Sequence, residues 1–224
     1  GKPMIHMPQE GKIDHGDIER VLSSRAADQL SLGMVVNRAA AVPHDWGSKP
    51  DHFGGKRPSD KERKFRIWNG QEKGFKTRNK PRAWGASNDH IGESVAVWFE
   101  GDGGLPVAEQ LKFHELIGLP EPSFTVWTGG KSLHSYYVLD APCTPSKSHS
   151  LMDWIATALK RANPDAGADS SLKNPCRVMR CPGGFHATKG GRAYIYSEHP
   201  DQRRFSVEEL EEALPGNCKP SGGT

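Results

Sequence analysis

Val95-Ala-Val-Trp-Phe-Glu100-Gly-Asp102 decides the fold: five apolar, β-prone residues in a row, then two carboxylates separated by one glycine. An unbroken apolar run of that length, with no polar alternation, predicts a central strand covered on both faces. Gly103-Gly-Leu-Pro106 closes it, and a helix is expected around Val107 to Ile117 with Gly118 at its C-cap. Side chains alternate across a strand, so Glu100 and Asp102 share one face with Gly101 between them. Such a pair is either an ordinary acidic turn or a point on which two carboxylates converge.

Downstream, Ser123-Phe-Thr-Val-Trp127 and Ser135-Tyr-Tyr-Val-Leu139 flank Thr128-Gly-Gly-Lys-Ser-Leu-His134, which reads as a β-hairpin with a glycine-containing turn. Ser132 and His134 then share a strand face beside Lys131. A hydroxyl, an imidazole, an ammonium and exposed turn amides together make a cradle for a triphosphate. The segment is not a P-loop, because the Gly and Lys spacing differs and a strand follows where that motif requires a helix. The plainer alternative is a turn carrying a solvated lysine.

A helical face follows at Leu151, Trp154, Ile155, Ala158 and Leu159, closed by Asn163-Pro164. Beyond Asp165 and Asp169, strands are expected at Arg177 to Cys181 and Arg192 to Tyr196. Arg177 and Arg180 would face opposite sides of the first, one toward phosphate and the other toward a carboxylate. The glycine-rich turn after them carries His186 and Lys189. A capping box, Ser206 with Glu209, starts a last helix that stops at Pro215. Cys176, Cys181 and His186 have the chemistry of zinc ligands, but the spacing lacks a tight Cys pair and an evident fourth ligand, which argues against zinc; Cys143 with His149 is weaker still.

Toward the N-terminus, Asp17-Ile-Glu-Arg-Val-Leu22 opens a helix expected to end near Leu30, and Met34-Val-Val36 reads as a short buried strand. Residues 1–11 read as a tail outside the fold, 12–215 as one catalytic unit with a basic insertion at about 45–90, and 216–224 as the start of a linker to a further module. Between Lys49 and Arg82 there are 12 Lys/Arg against 4 Asp/Glu, although the whole chain carries only +3. The remainder is therefore net acidic, and the basic segment suits a polyanion partner through counterion release. Lys56, Arg57, Arg63, Lys64, Arg66, Lys76 and Arg78 are its candidate phosphate contacts, joined by Lys189. Phe65, Trp68, Phe75 and Trp84 interleave with them as rings able to stack on unpaired bases. The four cysteines (Cys143, Cys176, Cys181, Cys218) are expected to be reduced thiols. The apolar runs are too short to span a bilayer, so a cytoplasmic protein is expected.

These segments, in this order, resemble the archaeo-eukaryotic primase superfamily, in particular the primase-polymerase domains of phages, plasmids and other mobile elements. The resemblance covers roughly Gly33 to Tyr196. The family's first motif, a strand ending in two acids one residue apart, is matched by Glu100-Gly-Asp102. The second, a small residue, any residue, then His, is matched by Ser132-Leu-His134. The third, an acid that completes the metal site, is best matched by Asp169, which an Arg-x-x-Arg-x-Pro-Gly run follows; Asp165 is the alternative. Val35-Val-Asn37 is similar to an early strand of the mobile-element branch. One departure is Glu100, since Asp is usual there; the extra methylene moves a metal by about 1 Å while leaving a competent oxygen ligand.

The resemblance implies an α+β fold, an N-terminal α/β unit beside an RRM-like unit with the site in the cleft between them. It implies a DNA primase and DNA-directed polymerase with Glu100, Asp102 and Asp169 holding two Mg²⁺ or Mn²⁺ ions. Lys131, Ser132, His134, Arg177 and Arg180 would bind the NTP or dNTP, on a single-stranded DNA template in a bacterial or phage-infected cell. A helicase module in the same polypeptide is a further expectation. Two other classes remain: a catalytically silent single-stranded nucleic-acid-binding module, and a replication-initiator nuclease. The nuclease needs a His-hydrophobe-His pair and a helical catalytic Tyr, whereas Tyr136 and Tyr137 lie on an expected strand.

Overall fold

A computed structural model of the chain describes residues 4–5, 32–39, 66–68, 71–73, 88, 91–186 and 189–216. Its centre is a five-stranded antiparallel sheet in the order β10-β7-β8-β6-β3, formed by Tyr194–Glu198, Phe124–Trp127, Leu133–Cys143, Ile91–Glu100 and Arg38–Ala39. A smaller sheet joins β1 (Met4–Ile5), β2 (Leu32–Val35) and β9 (Val178–Arg180), and β4 (Arg66–Trp68) pairs with β5 (Gln71–Lys73). The fold is thus mixed α and β around an antiparallel sheet, as expected.

The apolar run Val95 to Phe99 lies inside β6, which pairs with β8 along the run and with β3 only at Ile91 and Glu93, and Val97, Trp98 and Phe99 are buried. Its register against β8 sets Trp98 opposite Tyr136 and Glu100 opposite His134. Phe124 stacks on Tyr136 with ring centroids 4.8 Å apart, while Tyr137 meets Phe205 edge-on. Trp98 is not purely apolar cargo: its indole Nε1 donates to the Leu172 carbonyl at 3.1 Å, satisfying the one polar atom it buries.

The segment expected as one helix is two short ones, α1 (Val107–Gln110) and α2 (Phe113–Leu116), because Gln110 turns inward to bind backbone instead of continuing a helical face. Gly118 ends α2 in a left-handed conformation (φ 76°); its N–H donates to the Glu115 carbonyl and that of Leu119 to His114, the Schellman pattern. The long helix α3 (Pro145–Ala162) starts earlier than the apolar face alone suggests. Thr144 caps it by accepting from the Lys147 N–H, with Pro145 in the first turn. Leu151, Met152, Ile155, Ala158 and Leu159 bury its inner face, and Asn163 ends it. In α4 (Val207–Ala213), Ser206 Oγ accepts from the Glu209 N–H at 3.0 Å. The return half of the expected capping box is absent, since the Glu209 carboxylate pairs with Arg203 instead. Ser206→Ala should cost about 1 kcal/mol in chemical denaturation, the usual effect of losing an N-cap.

Met4–Ile5, within the segment read as a tail, pairs in parallel with β2, a match too short for sequence periodicity to reveal. The helix expected from Asp17 to Leu30 lies outside the described residues. No described helix is long and apolar enough to cross a membrane.

Candidate active site

Three segments meet where β6 ends. Gly101 forms an antiparallel bridge with Ala168, and the Asp102 and Gly103 N–H groups donate to the Gly167 and Ala166 carbonyls at 3.0 and 2.9 Å. This approach needs glycine at position 103: a Cβ there would lie 1.9 Å from the Asp165 carbonyl oxygen. The bridge carries Glu100 and Asp102, on either side of Gly101, to the same corner as Asp169, next to Ala168. Asp165 contributes to this corner through its backbone.

The hairpin supplies the third segment. Register opposes His134 to Glu100, and the imidazole Nε2 lies 2.5 Å from Glu100 Oε2 in a setting where both side chains are nearly buried. Ser132 Oγ donates to the same carboxylate oxygen at 3.3 Å. With Nε2 donating to Glu100, His134 Nδ1 is the acceptor for the Tyr136 hydroxyl at 3.4 Å. Burial, reinforced by the Glu100 carboxylate, drives the Tyr136 phenol far above its usual range, so it stays a protonated donor. Lys131 Nζ reaches across to Asp102, contacting Oδ1 at 3.1 Å and the backbone carbonyl at 2.7 Å. Lys131, Ser132 and His134, read as a triphosphate cradle, are therefore held against Glu100 and Asp102, two of the three residues read as metal ligands.

Asp169 caps the 3-10 turn Ser170–Lys173: its two carboxylate oxygens accept from the Ser171 N–H and Oγ, each at 2.8 Å. Among the described residues, no group of three or more His, Cys, Asp or Glu side chains is gathered to hold a metal ion. The donor set at the corner is nonetheless of the right kind for Mg²⁺ or Mn²⁺, being hard carboxylate oxygens. Protein donors now occupy each carboxylate, and a metal would take their place.

Arg177 precedes β9 instead of lying on it, so strand alternation does not set its direction relative to Arg180. Arg177 is exposed, whereas Arg180 ends the strand half-buried. Burial lowers the Arg180 pKa and the Glu100 carboxylate opposes that shift, which places the guanidinium within the field of the acid. His186 is pushed down by burial, then by the charges of Arg180 and Lys189, so the turn that carries it has a positive local potential. That turn packs on the hairpin: a Cβ on Gly130 would meet the His186 ring at 3.1 Å and Lys189 Cγ at 3.4 Å.

Two residues that organise the site were given no role in it by sequence reasoning, although Asn37 was noted as part of an early strand. Gln110, 2% exposed, donates from Nε2 to the Leu105 and Lys131 carbonyls at 2.7 and 2.8 Å, and its Oε1 accepts from the Leu133 N–H at 2.8 Å. It thereby fixes the Lys131–Leu133 backbone to the loop after the acids. Asn37, also buried, donates to the Pro175 carbonyl and accepts from the Val95 and Ala96 N–H groups, tying the approach to β9 onto β6. Gln110→Leu should cost about 2 kcal/mol by leaving buried backbone groups unpaired, and should raise the KM for nucleotide more than it lowers kcat. Thermal denaturation and steady-state kinetics check the two effects.

Of the expected nucleic-acid contacts, Lys56, Arg57, Arg63, Lys64, Lys76 and Arg78 lie outside the described residues. Arg66 lies on β4, and Lys189 is exposed beside the hairpin. Cys143, Cys176 and Cys181 are not joined in disulfides, and burial raises the pKa of Cys143 and Cys181.

The fold of the chain resembles that of a solved primase-polymerase AEP domain. Among solved structures it is similar to the AEP domain of the cyanophage S-2L primase-polymerase, with 31% identity and a TM-score of 0.50 over 58% of this chain and 65% of that one. The match thus spans slightly under two thirds of the phage domain's length. A crystal structure of the primase RepB' also matches, at 15% identity and a TM-score of 0.36, over 54% of this chain and 39% of that one. No protein-family model matches the chain, and no curated protein matches it in sequence.

Proposed function

We propose that the chain is a template-dependent nucleotidyltransferase that makes primers on single-stranded DNA and extends them. The observation that carries this reading is the meeting of the acidic end of β6, the Gly101–Ala168 bridge leading to Asp169, and the Lys131–His134 hairpin at one corner. The likeness to a phage primase-polymerase domain supports it. The reading also assigns the five-stranded sheet to the RRM-like unit.

In the reaction a hydroxyl attacks the α-phosphate of the incoming nucleotide, forming a phosphodiester and releasing pyrophosphate. Glu100, Asp102 and Asp169 would hold divalent ions, which when bound supply activation of the attacking hydroxyl and neutralise charge on the triphosphate. Lys131 in the hairpin turn and His134 on β8, released from Asp102 and Glu100, would turn to phosphate oxygens without movement of their backbone. Ser132 would donate to the same oxygens. Arg180 would balance charge near Glu100, and exposed Arg177 would meet triphosphate or template. Gln110 would hold the hairpin backbone in register with the acids throughout.

The experiment is incorporation of labelled NTPs or dNTPs on unprimed and primed single-stranded DNA with Mg²⁺ or Mn²⁺. Products without a primer are expected. DNA binding without incorporation would return the silent binding module.

A further inference from the structure

Among the described residues four large apolar side chains are exposed, and three of them are consecutive: Tyr194 (48%), Ile195 (45%) and Tyr196 (41%). They lie on β10, the edge strand of the five-stranded sheet. An exposed apolar edge is a liability that folds normally suppress, so its presence indicates an occupant. The two phenol rings lie nearly parallel, with centroids 6.2 Å apart and planes inclined by 26°. A register shift between Ile195 and Ser197 makes Tyr196 the extra residue of a bulge.

The position of this ring pair relative to the site is fixed by backbone. Tyr194 is opposite Trp127, the residue before the hairpin turn. Just upstream, Gly191 packs so closely on that turn that a Cβ on it would lie 2.2 Å from the Gly129 carbonyl oxygen. Exposed Lys189 lies just before Gly191, and exposed Arg192 lies between Gly191 and Tyr194. Two cations and two stacked rings therefore follow the hairpin turn along this edge, with Tyr194 on the sheet face of Trp127 and Leu133, and Glu100 and His134 on the other face.

We propose that Tyr194 and Tyr196 form a base-stacking platform for single-stranded nucleic acid, with Lys189 and Arg192 taking the adjacent phosphates. This deepens the reading of the chain as a template-directed enzyme and rests on it for its biological use. Aromatic faces accept any base, while the phenol hydroxyls keep the edge wetted when it is empty. Association with a second copy of the chain is disfavoured by area, since a stable interface needs about 800 Å² per partner and three side chains fall well short.

The test is anisotropy of a fluorescein-labelled oligothymidylate titrated with wild type, the double variant Tyr194→Ala/Tyr196→Ala and the double variant Tyr194→Phe/Tyr196→Phe. Alanine should weaken binding by about fivefold or more for each ring, and phenylalanine should leave it near wild type. The dependence of affinity on salt should be unchanged by alanine, because no phosphate contact is lost. Wild-type affinity in the alanine variant, or a shallower salt slope, would overturn the platform. So would a change in oligomeric state with DNA affinity unaltered. Photocrosslinking of wild type to a bromodeoxyuridine oligonucleotide needs no variant: adducts at Trp127, Tyr194 or Tyr196 support the proposal, and adducts solely elsewhere overturn it. Failure of the enzymatic reading is separate, showing as absence of incorporation by a wild type whose DNA binding still depends on these rings.

Discussion

Asp102→Ala is expected to abolish nucleotide incorporation while leaving a folded protein. Asp102 is half exposed, and its bond to Lys131 joins two solvated side chains, a contact worth at most about 1 kcal/mol. The backbone around it is held independently by the Asp102 and Gly103 N–H groups against the 166–167 segment. Removing the carboxylate therefore deletes charge from the proposed reacting centre without opening the corner. A rate loss of at least about a hundredfold is expected, the scale for losing one preorganised electrostatic group. Single-turnover incorporation measures the loss, and thermal denaturation should show a midpoint close to wild type. Asp102→Asn should be nearly as inactive, because an amide keeps the shape but not the charge.

His134→Ala has the opposite profile, affecting both stability and activity. Glu100 sits in a site where its side chain is 11% exposed and the His134 side chain 9%, and the imidazole is its nearest recorded donor. Alanine leaves that carboxylate oxygen without its main partner, and the Tyr136 hydroxyl loses its acceptor. A destabilisation of about 3 kcal/mol follows for a broken, nearly buried charged contact. Divalent metal should recover part of this loss, since a cation bound at Glu100 stabilises only the folded state. Urea denaturation with and without Mn²⁺ reads both effects. An equal penalty with and without metal would show that His134 does not share Glu100 with a cation. Incorporation should fall at least about tenfold, through lost contact with the triphosphate.

Much of this site was legible in the chain because its parts are local. Val95 to Phe99 is continuous enough to declare a central strand, and the acids follow directly. Thr128 to His134 carries its own turn signal in Gly129, which adopts φ 80°. Sequence could not supply the pairings between distant segments. The register that sets Glu100 against His134 and the bridge from Gly101 to Ala168 are set by tertiary packing, not by local propensity. Gln110 was missed for the same reason: it sits at a helical position and binds backbone far along the chain, so periodicity assigns it to a helix that breaks just after it. Tyr194 and Tyr196 read as ordinary strand residues, because β-propensity says nothing about whether a strand has a neighbour. The start of α3 was not read from sequence: its apolar face begins only at Leu151, whereas the cap is the Thr144-Pro145 pair.

A crystal structure with Mn²⁺ and a non-hydrolysable nucleoside triphosphate tests the central claim most directly, through the anomalous signal of the metal. The account predicts manganese within about 2.1 Å of carboxylate oxygens from Glu100, Asp102 and Asp169, with phosphate oxygens on Lys131 and His134. Manganese and triphosphate bound together away from this corner, with the Glu100–His134 and Asp102–Lys131 contacts intact, would contradict it.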